Sequence, residues 1–254
     1  MIRFLLIVLL LAETGYATGK EILVAAASSI REPLDEVIDR FQSQSGIKVQ
    51  VSYGSSGKFT HQILRGAPYD LFLSADEQYP QRIRKSKVTV LGPQIYAVGV
   101  LSLYDTADGG CGAGNDLKML IKGLETRRIR RIAIANPELA PYGRAAREAL
   151  ENSGVWSVVH PYLVYAANVA QAAQYSLIGA VDCAFIARSH AISPHLLHRG
   201  VHSEVSRSLH APLNHAMVLL SGADNGARSL FNFLAGAEAA SIFKNAGFVH
   251  PDIQ

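Results

Sequence analysis

From residue 21 onward, short apolar runs alternate with amphipathic stretches, and this alternation restricts the fold more than any other property of the chain. EILVAAA (21–27), IKVQVSY (47–53), DLFLSA (70–75), IYAVGVL (95–101), RIAIAN (131–136), YLVYA (162–166), VDCAFIA (181–187) and AMVLLSG (216–222) have the length and side chains of buried strands. Helical patterns fall between them. Leu34, Val37, Ile38 and Phe41 mark one apolar face, ended by Gly46. SGKFTHQILRG (56–66), EQYPQRIRKS (77–86), YGRAAREALENSG (142–154) and NVAQAAQYSLIG (168–179) read the same way, and two helices finish the chain. GGCGAG (109–114) reads as a flexible loop. Strands alternating with helices predict an α/β fold with mostly parallel sheets. Such sheets place ligands beyond the C-terminal ends of their strands, so the strand-to-helix turns are the positions to examine.

Composition narrows the function classes. The 254 residues are 49% hydrophobic and 18% charged, which describes a folded chain. A net charge of +3 and the lack of an arginine stripe with interleaved aromatics argue against nucleic acid as a partner. The dense basic run RRIRR (127–131) directly precedes IAIA and reads as a solvated lead-in to a strand. At the N-terminus, Arg3 is followed by an apolar run from Phe4 to Ala12, too short to span a bilayer, and then by Gly15 and Ala17 at the spacing of a cleavage site. We read residues 1–17 as a secretory signal peptide, predicting an exported, periplasmic protein. No cysteine stands at that site, so no lipid anchor is expected. Cys111 and Cys183 are the only cysteines. Export permits a disulfide, but the sequence leaves their pairing open.

Four turns stand where the α/β pattern places a ligand: AAASSI (25–30), YGSSGK (53–58), NPELAPYGR (136–144) and YAANVAQ (165–171). The first two bring hydroxyls to helix starts. The last two bring main-chain N–H groups, with Asn168 suited to cap its helix. Each helix start has N–H donors without intrahelical partners and a partial positive charge, so several aimed at one point bind an anion without a lysine or arginine. Rival chemistries fail on spacing. A phosphate loop needs Ser or Thr after Gly57-Lys58, where Phe59 stands, and a nucleophile elbow needs glycine where Lys58 stands. No turn carries the dinucleotide fingerprint.

These turns also carry a resemblance. VAAASSI, YGSSGK, GAPYDLFLSAD (66–76) and NPELAPYGRAAREALE with LVYAANVAQAA together resemble the periplasmic molybdate-binding proteins of ABC transporters, over nearly the whole chain after the signal. The resemblance implies a bilobed type II periplasmic-binding-protein fold, with two mixed, mostly parallel sheets flanked by helices and a ligand cleft between the lobes. Lobe I would take residues 18–98 and 212–254, and the inserted lobe II residues 99–211, with crossings near 96–101 and 209–215. It implies a tetrahedral oxyanion held by neutral donors: hydroxyls and neighbouring amides of Ser28 and Ser56 from one lobe, and main-chain N–H of Tyr142 and Val169 from the other. Ser29 lies where one branch of the family also supplies a ligand. Ala187 stands where another branch has a tyrosine. Ser55 is expected to turn its side chain away. GAPYDLFLSAD is mostly scaffold, with Asp76 expected to cap the next helix.

The function so implied is capture of molybdate, and of tungstate, for delivery to a membrane permease by a monomeric protein. No catalysis, no cofactor and no direct metal-cation ligand are expected, since molybdenum arrives as molybdate. Another oxyanion, such as sulfate or thiosulfate, is the alternative. A serine hydrolase using Ser56 with a histidine is a remoter one. The segment 190–215 departs most from the family and holds six of the nine histidines. His195, His198 and His202 have helical spacing, but Gly200 interrupts it and no acidic or thiol ligand completes a metal set, so a solvated loop is expected. Lys58 and Arg144 are expected to point to solvent, the alternative being long-range attraction of the anion.

Overall fold

The computed structural model describes residues 20–106, 110–112, 114 and 116–251. The proposed signal peptide and part of the GGCGAG loop therefore lie outside the described residues. In chain order the elements are β1 (Ile22–Ala27), α1 (Arg31–Ser45), β2 (Val49–Gly54), α2 (Ser56–Leu64), β3 (Leu71–Ser74), α3 (Gln78–Lys85) and β4 (Thr89–Gly99). Then follow β5 (Leu101–Thr106), α4 (Met119–Glu125), β6 (Ile132–Ala135), α5 (Pro141–Asn152), α6 (Trp156–Val159), β7 (Leu163–Ala166), α7 (Val169–Leu177), β8 (Cys183–Ala187), α8 (Arg188–Ala191) and β9 (Gly200–Glu204). The chain closes with β10 (Leu213–Leu220), α9 (Asn225–Leu234) and α10 (Ala237–Asn245).

The strands form two five-stranded sheets, in the orders β2-β1-β3-β10-β4 and β7-β6-β8-β5-β9. In the first, β2, β1 and β3 are parallel, and β10 runs antiparallel to both β3 and β4. In the second, β7, β6 and β8 are parallel, and β5 runs antiparallel to both β8 and β9. Each sheet thus has one strand opposed to the other four. The chain leaves the first sheet at Gly99, enters the second at Leu101 and returns at Leu213.

Burial explains why these segments take these forms. Val24, Ala25 and Ala26 are fully buried because helices cover both faces of the first sheet. One face packs on Leu34, Val37 and Phe41 of α1 and on α9 and α10; the other packs on Phe59 and Ile63 of α2 and Ile83 of α3. Gly46 ends α1 with φ 73°, its N–H returning to the Gln42 carbonyl at 2.9 Å. The second sheet has its own core, including Leu103, Ile134, Ala146 and Phe185. A disulfide joins Cys111 to Cys183 of β8, with the Cα atoms 5.9 Å apart, resolving the pairing left open by the sequence.

Three segments differ from the sequence reading. β4 begins at Thr89, six residues before the apolar run, as an edge strand where Gly92 and Pro93 are tolerated. Met119–Glu125 forms the unexpected helix α4. Segment 190–215 is not simply a solvated loop: Gly200–Glu204 forms β9 along β5, and His190 and His215 are buried. No helix runs over 195–202, so His195, His198 and His202 share no helical face.

Candidate functional site

The strand ends of both sheets point their turns at one small pocket. Ser28, Ser29, Ser56, Tyr142 and Val169 all border it, and all five are buried. Ser55, expected to turn away, borders it too. None of the lining residues carries a charged side chain. The cavity is small, about 10 Å³, against about 510 and 580 Å³ in two outer grooves that include none of these residues. A space of this size leaves no room for a sugar or a peptide.

The candidate donors lie at helix starts. Ser56 opens α2, Val169 opens α7, and Tyr142 follows Pro141 at the head of α5. Main-chain N–H groups in a first turn have no intrahelical acceptor and sit at the positive end of the helix dipole. Asn168 caps α7 as expected, its side chain accepting from the Gln171 N–H at 3.0 Å.

The three serines are not equivalent. Ser56 Oγ accepts the Ala75 N–H at 3.0 Å, and Ser28 Oγ accepts the Ala170 N–H at 3.3 Å. A hydroxyl whose oxygen accepts from an amide keeps its own proton to give elsewhere. Ser29 Oγ instead lies 2.9 Å from His215 Nε2. His215 is fully buried on β10, and its Nδ1 is 2.9 Å from the Leu213 carbonyl. Burial pushes its pKa down to about 4, only partly offset by that carbonyl. His190, on α8 beside the main chain of Ser28, is likewise pushed down to about 4 by burial, with Arg31 adding to the shift. The Ser189 hydroxyl donates to the Ser29 carbonyl at 2.7 Å. The Ser28–Ser29 turn is therefore pinned by neutral partners from both halves.

Other contacts close the two halves on each other. The Gly57 N–H donates to the Leu139 carbonyl at 2.9 Å, and the Tyr79 hydroxyl donates to the Glu138 carbonyl at 3.3 Å. A Cβ at Gly57 would lie 2.6 Å from the Tyr79 hydroxyl and 2.8 Å from the Leu139 carbonyl, so the second glycine of YGSSGK permits the close approach of the halves. Arg144 does not point to solvent. It pairs with Asp76 and lies over the Tyr79 ring, 5.7 Å from its centroid. Asp76 also accepts the Tyr79 N–H at 3.2 Å, the capping role expected of it. Burial raises the Asp76 pKa, opposed by that N–H and by Arg144.

Sequence reasoning missed His215 and the Asp76–Arg144 pair. His215 was grouped with the histidine-rich segment, although its place beside the apolar run AMVLL was a signal for burial. The hydrolase alternative loses its geometry: Ser56 Oγ bonds the Ala75 amide, and the Ser–His contact found is Ser29–His215, where a main-chain carbonyl stands in place of an orienting carboxylate.

Comparison with known proteins agrees with this architecture. Residues 22–249 match the family model described as bacterial extracellular solute-binding protein. The molybdate-binding protein of Azotobacter vinelandii is 33% identical over 91% of this chain and 91% of its own length, and that of Rhodobacter capsulatus 32% identical over 92% and 90%. The solved structure of the Azotobacter vinelandii periplasmic molybdate-binding protein superposes with a TM-score of 0.82, covering 91% of this chain and 99% of that one at 30% identity. The sulfate-binding protein of Mycobacterium tuberculosis shares the fold, with a TM-score of 0.75 at 16% identity. This chain belongs to the family of bacterial extracellular solute-binding proteins.

Proposed function

We propose that this protein captures molybdate, and tungstate alike, in the pocket between its two halves, and delivers the anion in the periplasm to an ABC-type permease, acting as a monomer. The observation that carries this reading is the pocket itself. Two serine hydroxyls with protons left to give and the first-turn amides of two helices border one uncharged pocket. The Ser28 and Ser56 hydroxyls would donate from the first half, and the Tyr142 and Val169 amides from the second. The relatives named for molybdate supply the identity of the ion. No reaction is assigned to the site, and no cofactor. Among the described residues, no helix is long and apolar enough to cross a membrane.

Selectivity in such a ring comes from its dimensions. Molybdate and tungstate are near-identical in size, and sulfate is smaller. A rigid ring set for the larger ions leaves some bonds to sulfate long or unmade. Each unmade bond to a buried donor costs about 1–3 kcal/mol, so two losses separate the ions by about thirtyfold or more. Calorimetric titration with molybdate, tungstate, sulfate and phosphate side by side tests this. Molybdate and tungstate should bind one per chain within a few-fold of each other, and sulfate at least about thirtyfold more weakly. Sulfate binding as tightly as molybdate would move the assignment to another oxyanion.

A further inference from the structure

Among the pocket hydroxyls, that of Ser29 alone faces a buried imidazole, and the direction of its proton follows from the chain of contacts. Nδ1 of His215 stands 2.9 Å from the Leu213 carbonyl, which only accepts, so Nδ1 carries hydrogen. The ring is fully buried, and its neighbours are the rings of Tyr96, Tyr142 and Phe248, at centroid distances of 6.1, 5.9 and 5.1 Å. The titratable groups facing it are the two tyrosines, each with a pKa raised by burial and hence neutral, and no acidic or basic side chain shifts the imidazole. An imidazole in such surroundings stays neutral, leaving Nε2 with a lone pair and no hydrogen. The 2.9 Å contact with Ser29 is then a hydrogen bond donated by the hydroxyl. The Tyr142 hydroxyl faces Ser29 without a well-formed bond, and a Cβ at Gly99 would run into both the tyrosine and the imidazole.

We propose that His215 is a positioning residue that draws the Ser29 proton out of the pocket, so that Ser29 presents oxygen lone pairs to a ring otherwise made of donors. The inference rests on the oxyanion reading above. It reverses the role implied for Ser29 by the family resemblance, because a dianion is repelled by a lone pair where it would be held by a proton. Removing the Ser29 hydroxyl should therefore help binding. Removing the His215 acceptor should help more, by freeing the proton for the anion.

The test is a calorimetric cycle with molybdate at neutral pH. Ser29→Ala should tighten binding about two- to fivefold. His215→Leu should tighten it about tenfold, and Ser29→Ala added to His215→Leu should bring the gain back to that of Ser29→Ala alone. His215→Gln, whose amide oxygen can again accept the proton, should fall well short of His215→Leu. A tenfold loss of affinity in Ser29→Ala alone overturns the proposal, and that arm does not depend on the folding of the His215 variants. A second arm needs no anion. Long-range proton–nitrogen correlation spectra of the wild type should show His215 neutral, with hydrogen on Nδ1 and none on Nε2, and the Nε2 resonance should move in Ser29→Ala. Hydrogen on Nε2 would overturn the proposal. A wild type with the expected His215 signature that takes no molybdate would instead sink the functional reading.

Discussion

The two halves of the molecule share a plan and differ in what they present to the pocket. Each is a five-stranded sheet with three parallel strands on one side and a single reversed strand near the crossing. From the first half, Ser28 and Ser56 border the pocket, and on the reading proposed above they would act through their hydroxyls. From the second, Tyr142 and Val169 stand at the heads of α5 and α7 and would act through their main-chain N–H groups. A hydroxyl rotates and is oriented by a neighbour, as the Ala75 amide orients Ser56. A first-turn amide is already aimed by its helix. The first half therefore depends on local hydrogen bonds for its geometry, and the second depends on the rigidity of its core. That core carries the disulfide.

The largest expected effect probes how the halves share the Ser28–Ser29 turn. His215 comes from the first half and His190 from the second, and both have pKa values pushed to about 4. An unfolded histidine titrates near 6.5, so between about pH 6.5 and 4 the unfolded chain binds protons that the folded chain refuses. Stability should be full above pH 6.5 and fall as pH drops toward 4, by up to about 3 kcal/mol for each histidine. Denaturant titrations from pH 7.5 to 4.5 measure it. A flat profile would show that neither imidazole is held neutral.

Next comes the disulfide. Its 72-residue separation lies within the second half. On the chain-entropy relation, closing a loop of that length stabilises by about 4 kcal/mol. Replacing Cys111 and Cys183 by serine or alanine should lower the unfolding free energy by roughly that amount, while molybdate affinity falls less. An equal loss with the first half melting separately would show that the halves are not one cooperative unit.

Two substitutions set hydroxyl against amide directly. Ser56→Ala removes one hydroxyl donor to a charged ligand, worth about 1.5–3 kcal/mol, or ten- to a hundredfold in affinity. Val169→Pro removes one amide donor at a first helical position, where proline is accommodated. Asn168 before it is already extended, at φ −158° and ψ 173°, as a residue preceding proline must be. A similar loss in both variants supports donors from both halves. A loss confined to Ser56→Ala would make the second half a mere cover.

The smallest effect concerns closure. Arg144→Met breaks the pair with Asp76 across the halves without touching the pocket lining. Affinity should fall about three- to tenfold, up to about 1.4 kcal/mol, with scattering showing compaction at higher molybdate than in the wild type. Unchanged affinity would remove the pair from the closing device.

Much of this was legible in the chain. The order of strands and helices followed from periodicity, and the turns that meet at the pocket followed from small hydroxyl residues and caps at strand ends. What joins the turns was not. Ser29 and His215 are 186 residues apart, and Asp76 and Arg144 are 68 apart, so no local pattern links them. β9 was hidden because GVHSE lies on a sheet edge, with Val201 exposed, and edge strands need no apolar run. β4 was truncated in the reading for a related reason: Gly92 and Pro93 interrupt the apolar pattern without ending an edge strand.

The central claim is that one anion touches both halves at once. Anomalous diffraction at the molybdenum edge from crystals grown with molybdate tests it most directly. The account predicts a single strong peak in the pocket, with anion oxygens within hydrogen-bond distance of Ser28 Oγ, Ser56 Oγ and the N–H groups of Tyr142 and Val169. A peak in either of the two outer grooves, or one within reach of a single half only, would contradict it.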